Sequence, residues 1–280
     1  MISVVIPAHN EAAVIRRCLD SMLAGADPGE LEIFVVCNGC SDETAAIARE
    51  CGPDVRVIET QVASKSHALN LGDRAARGFP RFFVDADIVI DIASVRAVAA
   101  VLEEGKFLAA APRLQIDLTG CSWGIRAYHE IWMQLPYVTD NMLGSGVYAV
   151  SERGRTRFDS FPDVIADDEI VRLAFADAEK TSVEEASFLV SLPTTLRSLI
   201  HINVRRLAGL IEMREREPET TSEDGQRQRR ALLALFKQPA LWPSLAVYVG
   251  VKLSTSLLYR WRERFGRHKD WTRDETSRTA

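Results

Sequence analysis

The first 110 residues alternate short apolar runs with helical patterns, and this rhythm constrains the fold more than any other feature. Five runs have the length of buried strands, at residues 3–6, 32–37, 55–59, 82–84 and 107–111. Strands that alternate with helices tend to pair in parallel, so an α/β fold is predicted, a mostly parallel sheet flanked by helices. Ligands of such sheets bind where the strands end, so the residues after each run are the candidates for function.

The composition fits one large folded unit. Of 280 residues, 47% are hydrophobic and 26% are charged, which is enough to bury a large core. A net charge of −5 gives no overall attraction to polyanions, so no nucleic-acid partner is expected. The cysteines number five, and the first residues lack a signal-peptide pattern. We therefore expect a cytoplasmic protein, either soluble or peripheral at the inner membrane face.

The composition changes beyond residue 110. Residues 120–210 are rich in aromatic side chains and are interpreted as the second half of a domain that spans 1–210. The segment 211–230 is highly charged with few apolar residues, which predicts a linker or mobile loop.

Residues 231–280 are predicted to form a C-terminal helical appendage. The longest window without a charge, 238–251, is shorter than the about 20 apolar residues that a spanning helix needs. Five basic residues follow: Arg260, Arg262, Arg264, Arg267 and Lys269. Two interpretations stay open, a helix packed on the core and an interfacial helix whose basic end meets anionic headgroups.

Two acids, Asp85 and Asp87, follow the fourth apolar run with one residue between them. In an extended strand, side chains two residues apart lie on the same face, so both carboxylates point to one side of the strand. Close carboxylates repel each other unless a cation lies beside them, and Mg²⁺ or Mn²⁺ suits such oxygen ligands. The alternative is a pair of capping acids at a strand end.

Three further polar segments accompany this DXD motif in order along the chain. The four are PAHNE at 7–11, NGCSDET at 38–44, SKSHALNLG at 64–72 and DAD at 85–87. Together they resemble glycosyltransferase family 2 over residues 1–210. The resemblance implies the Rossmann-like GT-A fold, a nucleotide-diphosphate sugar donor, a divalent cation on the diphosphate and inversion at the anomeric carbon.

The resemblance implies a role for each matching position. Asp87 and Asp85 would hold the metal. The implied donor-binding residues are Pro7, Ala8, Glu11, Asn38, Asp42, Lys65 and Asp85. Asn38 stands where many relatives carry an aspartate that contacts the base, so a UDP-sugar is favoured with the base left open.

The acceptor side is implied by the small residues Gly144, Ser145 and Gly146. Asp168 is the implied catalytic base, supported by Asp167, with Glu169 as the alternative in the same trio. The pair Arg205 and Arg206 matches the product-diphosphate position, but the Gln and Trp of processive relatives are missing, so transfer of a single sugar is favoured. The acceptor is expected to be a carbohydrate or a lipid-linked molecule.

Several rival interpretations stay open at this stage. A sugar nucleotidyltransferase would need a glycine-rich phosphate loop after the first strand, and a non-catalytic nucleotide-sugar-binding partner would be expected to have lost its acids. Cys37 and Cys40 lack a second pair for zinc. Trp123 and Trp132 either stack against a sugar or belong to the core.

Overall fold

A computed structural model of the chain describes residues 1–139, 146–162, 171–216 and 218–265, with side chains described outside 212–224. Eight strands in these ranges form one sheet. They are β1 (Ile2–Ala8), β2 (Leu31–Asn38), β3 (Val55–Thr60), β4 (Arg81–Val84), β5 (Ile88–Ile90), β6 (Ala109–Asp117), β7 (Val147–Val150) and β8 (Lys180–Ser191).

The helices of the described ranges alternate with these strands and then continue alone to the C-terminal side. They are α1 (Ile15–Leu23), α2 (Thr44–Arg49), α3 (Lys65–Ala75), α4 (Ile92–Glu103), α5 (Trp123–Trp132), α6 (Pro136–Thr139), α7 (Glu152–Arg155), α8 (Leu196–Arg216), α9 (Pro218–Leu235) and α10 (Trp242–Arg264).

The strand order is β3-β2-β1-β4-β7-β6-β8-β5. Strands β1 to β4 run parallel to one another, and β6 and β8 are also parallel. Strand β7 is antiparallel to β4 and β6, and β5 is antiparallel to β8. After β1 the chain forms β2 and β3 on one side of β1, and then β4 on its other side. A crevice therefore opens at the ends of β1 and β4, the place where α/β sheets bind ligands.

Both faces of the central strands are buried, because successive side chains point to opposite faces. Val4 and Ile33 belong to a core shared with α1, α2 and α4. Val5, Phe34 and Phe83 belong to a second core with Leu69 of α3. Burial on both faces explains why these strands appear in the sequence as continuous apolar runs.

The five predicted strands are confirmed within two residues at each start, although the last extends to Asp117. The short strands β5 and β7, and the long irregular β8, were not predicted. The pairing of β8 with β6 shifts in register between Pro112 and Arg113. The shift interrupts the alternation of inward and outward side chains along β8, by which a strand is recognised in a sequence.

A third core joins α5 to the C-terminal helices. Ile125, Tyr128 and Ile131 of α5 pack with Leu199 of α8 and with Tyr248 of α10. The Tyr128 and Tyr248 rings stack with centroids 5.1 Å apart. Tyr128 and Trp132 thus contribute to the core of the helical appendage.

The charged segment differs from its prediction as a linker or mobile loop. Residue 210, the predicted domain end, lies inside α8, and residues 218–230 lie in α9. Glu, Gln and Arg have high helix propensities and pair along a helix surface, so a segment can be helical without apolar residues to bury.

The predicted C-terminal helix is present as α10, and it extends beyond the charge-free window 238–251. Residues Pro239–Arg264 form, by length and composition alone, one segment that is long and apolar enough to cross a membrane, and the search covered the described residues. Arg267 and Lys269 lie outside the described residues.

Candidate active site

The crevice at the ends of β1 and β4 holds an ion pair. Asp85 follows β4 directly, and Lys65 is the first residue of α3. The Lys65 Nζ atom lies 2.9 Å from Asp85 Oδ1, and the two side chains are 35% and 38% exposed. The Ser64 side chain caps α3 by accepting a hydrogen bond from the His67 N–H at 3.2 Å. The cap fixes the helix start that carries Lys65.

Gly146 lies against Asp85 from the β7 side. The Asp85 N–H donates to the Gly146 carbonyl at 2.8 Å, which extends the pairing of β4 with β7 by one residue. Gly146 has a φ of +102°, and a Cβ there would lie 2.9 Å from Ile88 Cδ1 and 3.5 Å from Asp85 Oδ2. The backbone angle favours glycine, and a larger residue would also have to displace the Ile88 side chain.

A small cleft brings four of the predicted residues together, Pro7, Lys65, Asp85 and Gly146. Its lining is Pro7, Lys65, Leu69, Phe83, Val84, Asp85, Gly146 and Tyr148. Residues predicted for the donor and one predicted for the acceptor therefore share one cleft.

The second acid of the DXD motif, Asp87, lies near the buried thiol of Cys18. Burial raises the pKa of Cys18, and the negative charges of Asp87 and Asp85 raise it further. No cluster of three or more His, Cys, Asp or Glu side chains suited to a metal occurs within the described part of the chain. Two carboxylates alone fit Mg²⁺ or Mn²⁺ when substrate phosphates and waters complete the coordination.

The turns after β1 and β2 are locked together beside the cleft. Asn10 has a φ of +56°, and its Oδ1 accepts the Ser41 N–H at 2.7 Å. Asp42 accepts the N–H groups of Ala12 and Thr44, each at 3.1 Å. The predicted donor residue Asp42 thus fixes the two turns, a role that sequence reasoning missed.

The remaining predicted nucleoside residues line these turns. Ala8, Glu11 and Asn38 are buried. The Glu11 N–H donates to Thr44 Oγ1 at 2.7 Å. His9 Nδ1 lies 2.5 Å from the Asn38 carbonyl, which accepts a hydrogen bond from the ring.

Helix α3 also holds the chain that follows α7. The Asn70 amide donates to the Phe161 carbonyl at 2.8 Å and accepts the Phe161 N–H at 2.9 Å. One turn further, Asp73 binds Arg81 at 2.7 Å and Arg155 at 2.6 Å. Burial acts to raise the pKa of Asp73, but the hydrogen bonds from Arg155 and Arg81 outweigh it and hold the pKa below its usual range.

Arg155 extends this connection towards the segment with the predicted base. Its guanidinium donates to the carbonyls of Phe158 and Asp159. Lys65 at the start of α3 and residues 158–161 are therefore attached to the same helix. Sequence reasoning missed Asp73, because its partner Arg155 comes 82 residues later in the chain.

Four predicted residues lie outside the described ranges: Gly144, Ser145, Asp167 and Asp168, together with the alternative base Glu169. Arg205 and Arg206 are exposed on α8. Burial raises the pKa of Tyr128 on α5, and the positive charge of Arg206 acts in the opposite direction. Arg206 is thus close to α5. Trp123 is mostly exposed, whereas Trp132 packs on the third core.

The fold is a mostly parallel α/β sheet with a polar cleft at its strand ends, and comparison with known proteins gives its family. The family model described as "Glycosyl transferase family 2" matches residues 3–159, which is more than half of the chain. The chain belongs to this family and has the GT-A fold.

Two curated relatives share its N-terminal part. The uncharacterized glycosyltransferase EpsJ of Bacillus subtilis is 29% identical over 126 residues, 44% of this chain and 34% of that protein. The uncharacterized glycosyltransferase YibD of Escherichia coli is 29% identical over 149 residues, 52% of this chain and 40% of that protein. The matches thus span two-fifths or less of these relatives.

Two solved structures share the architecture at low identity. The mannosyltransferase PcManGT from Pyrobaculum calidifontis, in complex with GDP-Man and Mn²⁺, has a TM-score of 0.60 at 18% identity over 95% of this chain and 83% of that one. Glucosyl-3-phosphoglycerate synthase from Mycobacterium tuberculosis, with Mn²⁺ and UDP, has a TM-score of 0.56 at 21% identity, over 77% of this chain and 79% of that one.

Proposed function

We propose that the protein is an inverting glycosyltransferase that moves one sugar from a nucleotide-diphosphate donor to an acceptor hydroxyl. The observation that carries this proposal is the Lys65–Asp85 pair in the crevice between β1 and β4, with Asp87 two residues further on. A cation and two carboxylates at this position suit a diphosphate and its divalent ion. Membership of the family supports the same chemistry.

The donor diphosphate is assigned to Lys65, Asp85 and Asp87. Asp87 and Asp85 would hold Mn²⁺ or Mg²⁺, which as a Lewis acid offsets the charge of the departing diphosphate. The Lys65 ammonium adds a positive charge beside the same carboxylate, 2.9 Å from it. Charge that develops on the leaving group is then met by groups already in place.

Removal of the acceptor hydroxyl proton is assigned to a carboxylate base. This base is Asp168, supported by Asp167, with Glu169 as the alternative. This base takes the hydroxyl proton as the acceptor oxygen bonds to the anomeric carbon and the bond to the diphosphate breaks. General-base help of this kind contributes about 10²- to 10⁴-fold. The bonds from Asn70 and Arg155 fix residues 158–161, which precede this trio in the sequence.

The nucleoside is assigned to Pro7, Ala8, Glu11 and Asn38, with the turns held by Asp42. UDP is the proposed nucleotide, since the Asn38 amide can both donate and accept towards uracil. GDP is the competing choice, because one solved neighbour holds GDP-Man and another holds UDP.

The acceptor is proposed to be a carbohydrate or a lipid-linked molecule, with Gly146 and its neighbours Gly144 and Ser145 below it. Arg205 and Arg206 are retained as proposed ligands of the product diphosphate. A cytoplasmic location with peripheral membrane contact is part of the proposal, and the apolar C-terminal helix supports the membrane contact.

Donor hydrolysis followed by ¹H NMR tests this function without knowledge of the acceptor. Water replaces the acceptor, so an inverting enzyme given UDP-α-glucose or another UDP-α-sugar with Mn²⁺ should release the β-anomer first. First release of the α-anomer would refute a single displacement.

The rival functions give different results in the same preparation. A sugar nucleotidyltransferase would release pyrophosphate from UTP and a sugar 1-phosphate. A non-catalytic partner would bind a nucleoside diphosphate yet hydrolyse no donor.

A further inference from the structure

One face of α10 is both apolar and exposed. Trp242, Leu253, Leu257 and Trp261 are each more than half exposed, and so is Phe265 after the helix. At 100° per residue the spacings of 11, 4 and 4 residues place the four helical members on one side. We call these five residues the apolar stripe.

The opposite face of α10 is already covered by protein. Leu245, Tyr248 and Val251 are buried against α5 and α8, and Tyr259 packs on Val204 and Ala208 of α8. Trp242 and Trp261 are 19 residues apart, about 28 Å at 1.5 Å per residue. The apolar stripe is therefore a long exposed surface on a helix whose other face is packed against the protein.

Further apolar groups extend the stripe at its beginning. Leu233 and Phe236, at the end of α9 and just after it, are about half exposed. The Trp242 indole N–H donates to the Phe236 carbonyl at 3.1 Å, so the turn and the stripe meet. A continuous apolar patch of this size on a soluble domain marks an interaction surface.

The charge around the stripe selects the partner. Arg260 and Arg264 lie on its exposed side at one end, and Arg229, Arg230 and Lys237 are exposed near the other. The chain as a whole has a net charge of −5, so this basic character is local. Cations that border apolar side chains are typical of helices that lie in the interface of an anionic bilayer.

A second copy of the chain fits this surface less well. Parallel pairing of two stripes would place the arginines of one copy beside those of the other. Antiparallel pairing would bring Arg260 and Arg264 to the N-terminal end of the partner helix, which carries the positive end of the helix dipole.

We propose that the apolar stripe of α10 docks the protein on an anionic membrane, with the helix lying in the headgroup region and not crossing the bilayer. A helix whose other face packs on α5 and α8 offers lipid one side only. The two tryptophans then sit at the interface with their rings in the acyl boundary, and the arginines contact lipid phosphates.

Vesicle flotation of the full chain tests this docking. Vesicles of phosphatidylcholine with one quarter phosphatidylglycerol should bring the protein to the top, and raising salt from 0.1 to 0.5 M should reduce binding. The variant Leu253→Glu/Leu257→Glu should lose at least tenfold in partition coefficient. The control Ala93→Glu/Ala100→Glu, with the same charge change on exposed positions of α4, should bind as the wild type does.

Two further readouts keep the result decisive. Circular dichroism shows that each variant is folded, and Arg260→Gln/Arg264→Gln should lose anionic selectivity while it retains the apolar stripe. No flotation of the wild type, or equal flotation of the Leu253→Glu/Leu257→Glu variant, would overturn the proposal. A dimer in light scattering that this variant dissociates would assign the stripe to a second copy instead.

Discussion

Replacement of Lys65 by methionine separates the binding role of this side chain from any role in stability. The ammonium lies 2.9 Å from Asp85 Oδ1, and both side chains are about one-third exposed. An ion pair so open to solvent contributes at most about 1 kcal/mol to folding, so Tm should fall by no more than about 4 °C.

The same ammonium should contribute more to the bound diphosphate. A hydrogen bond to a charged group is worth about 1.5–3 kcal/mol, and partial exposure favours the lower figure. Loss of about 1.5 kcal/mol is about a tenfold weaker Kd. Mn²⁺ binding without nucleotide should not weaken, because Asp85 loses its cationic partner and remains free to bind the ion.

Titration calorimetry of Lys65→Met with UDP and Mn²⁺, beside a thermal melt, measures both quantities. Lys65→Arg should retain most of the affinity, and Lys106→Met removes a lysine that lies over the Phe107 ring, away from the cleft. An unchanged Kd in Lys65→Met would refute contact with the diphosphate, and a Tm loss above 10 °C would make the role structural.

Three other substitutions test the packing of the protein, two beside the site and one in the third core. Gly146→Ala should cost about 1–3 kcal/mol in urea unfolding and weaken nucleotide binding, because its Cβ meets Ile88 at a positive φ; an unchanged protein would contradict this geometry. Asp73→Asn should cost about 3–5 kcal/mol, since the buried guanidinium of Arg81 and the partly buried one of Arg155 lose their carboxylate; a loss below 1 kcal/mol would show that the network is unimportant. Burial lowers the pKa of His129 from 6.5 to about 4. Neutral His129 therefore contributes fully to the free energy of unfolding above pH 6.5, and the free energy should fall by about 3 kcal/mol as the pH drops to 4. In His129→Gln the free energy of unfolding should depend less on pH between 6.5 and 4, and an unaltered dependence would assign it to other groups.

The sequence predicts the parallel half of the sheet well because its strands are buried on both faces. Strand β5 has three residues, and β7 is a four-residue pairing partner of β4 that lacks a pattern of its own. The charged helix α9 is not predicted for a different reason, since low apolar content alone does not distinguish an exposed helix from a loop.

The candidate site was predictable where residues follow strand ends. Pro7, Lys65 and Asp85 meet in one cleft at the ends of the parallel strands β1 and β4, and Gly146 reaches the same cleft from the start of the antiparallel strand β7. Asp73 was not predictable, because Arg155 comes 82 residues later and only the folded chain brings them together. Asp42 was matched to the donor, but its oxygens accept backbone N–H groups of the two turns.

The most direct test of the proposed function is the titration of UDP into the wild type and into Asp87→Asn, each with and without Mn²⁺. Asp87→Asn removes one charge and leaves the side-chain shape nearly unchanged. The wild type should bind UDP only when Mn²⁺ is present, and Asp87→Asn should lose this metal-dependent binding while its fold is retained. Equal metal-dependent binding by the two proteins would contradict the assignment of Asp87 to the metal and with it the proposed mechanism.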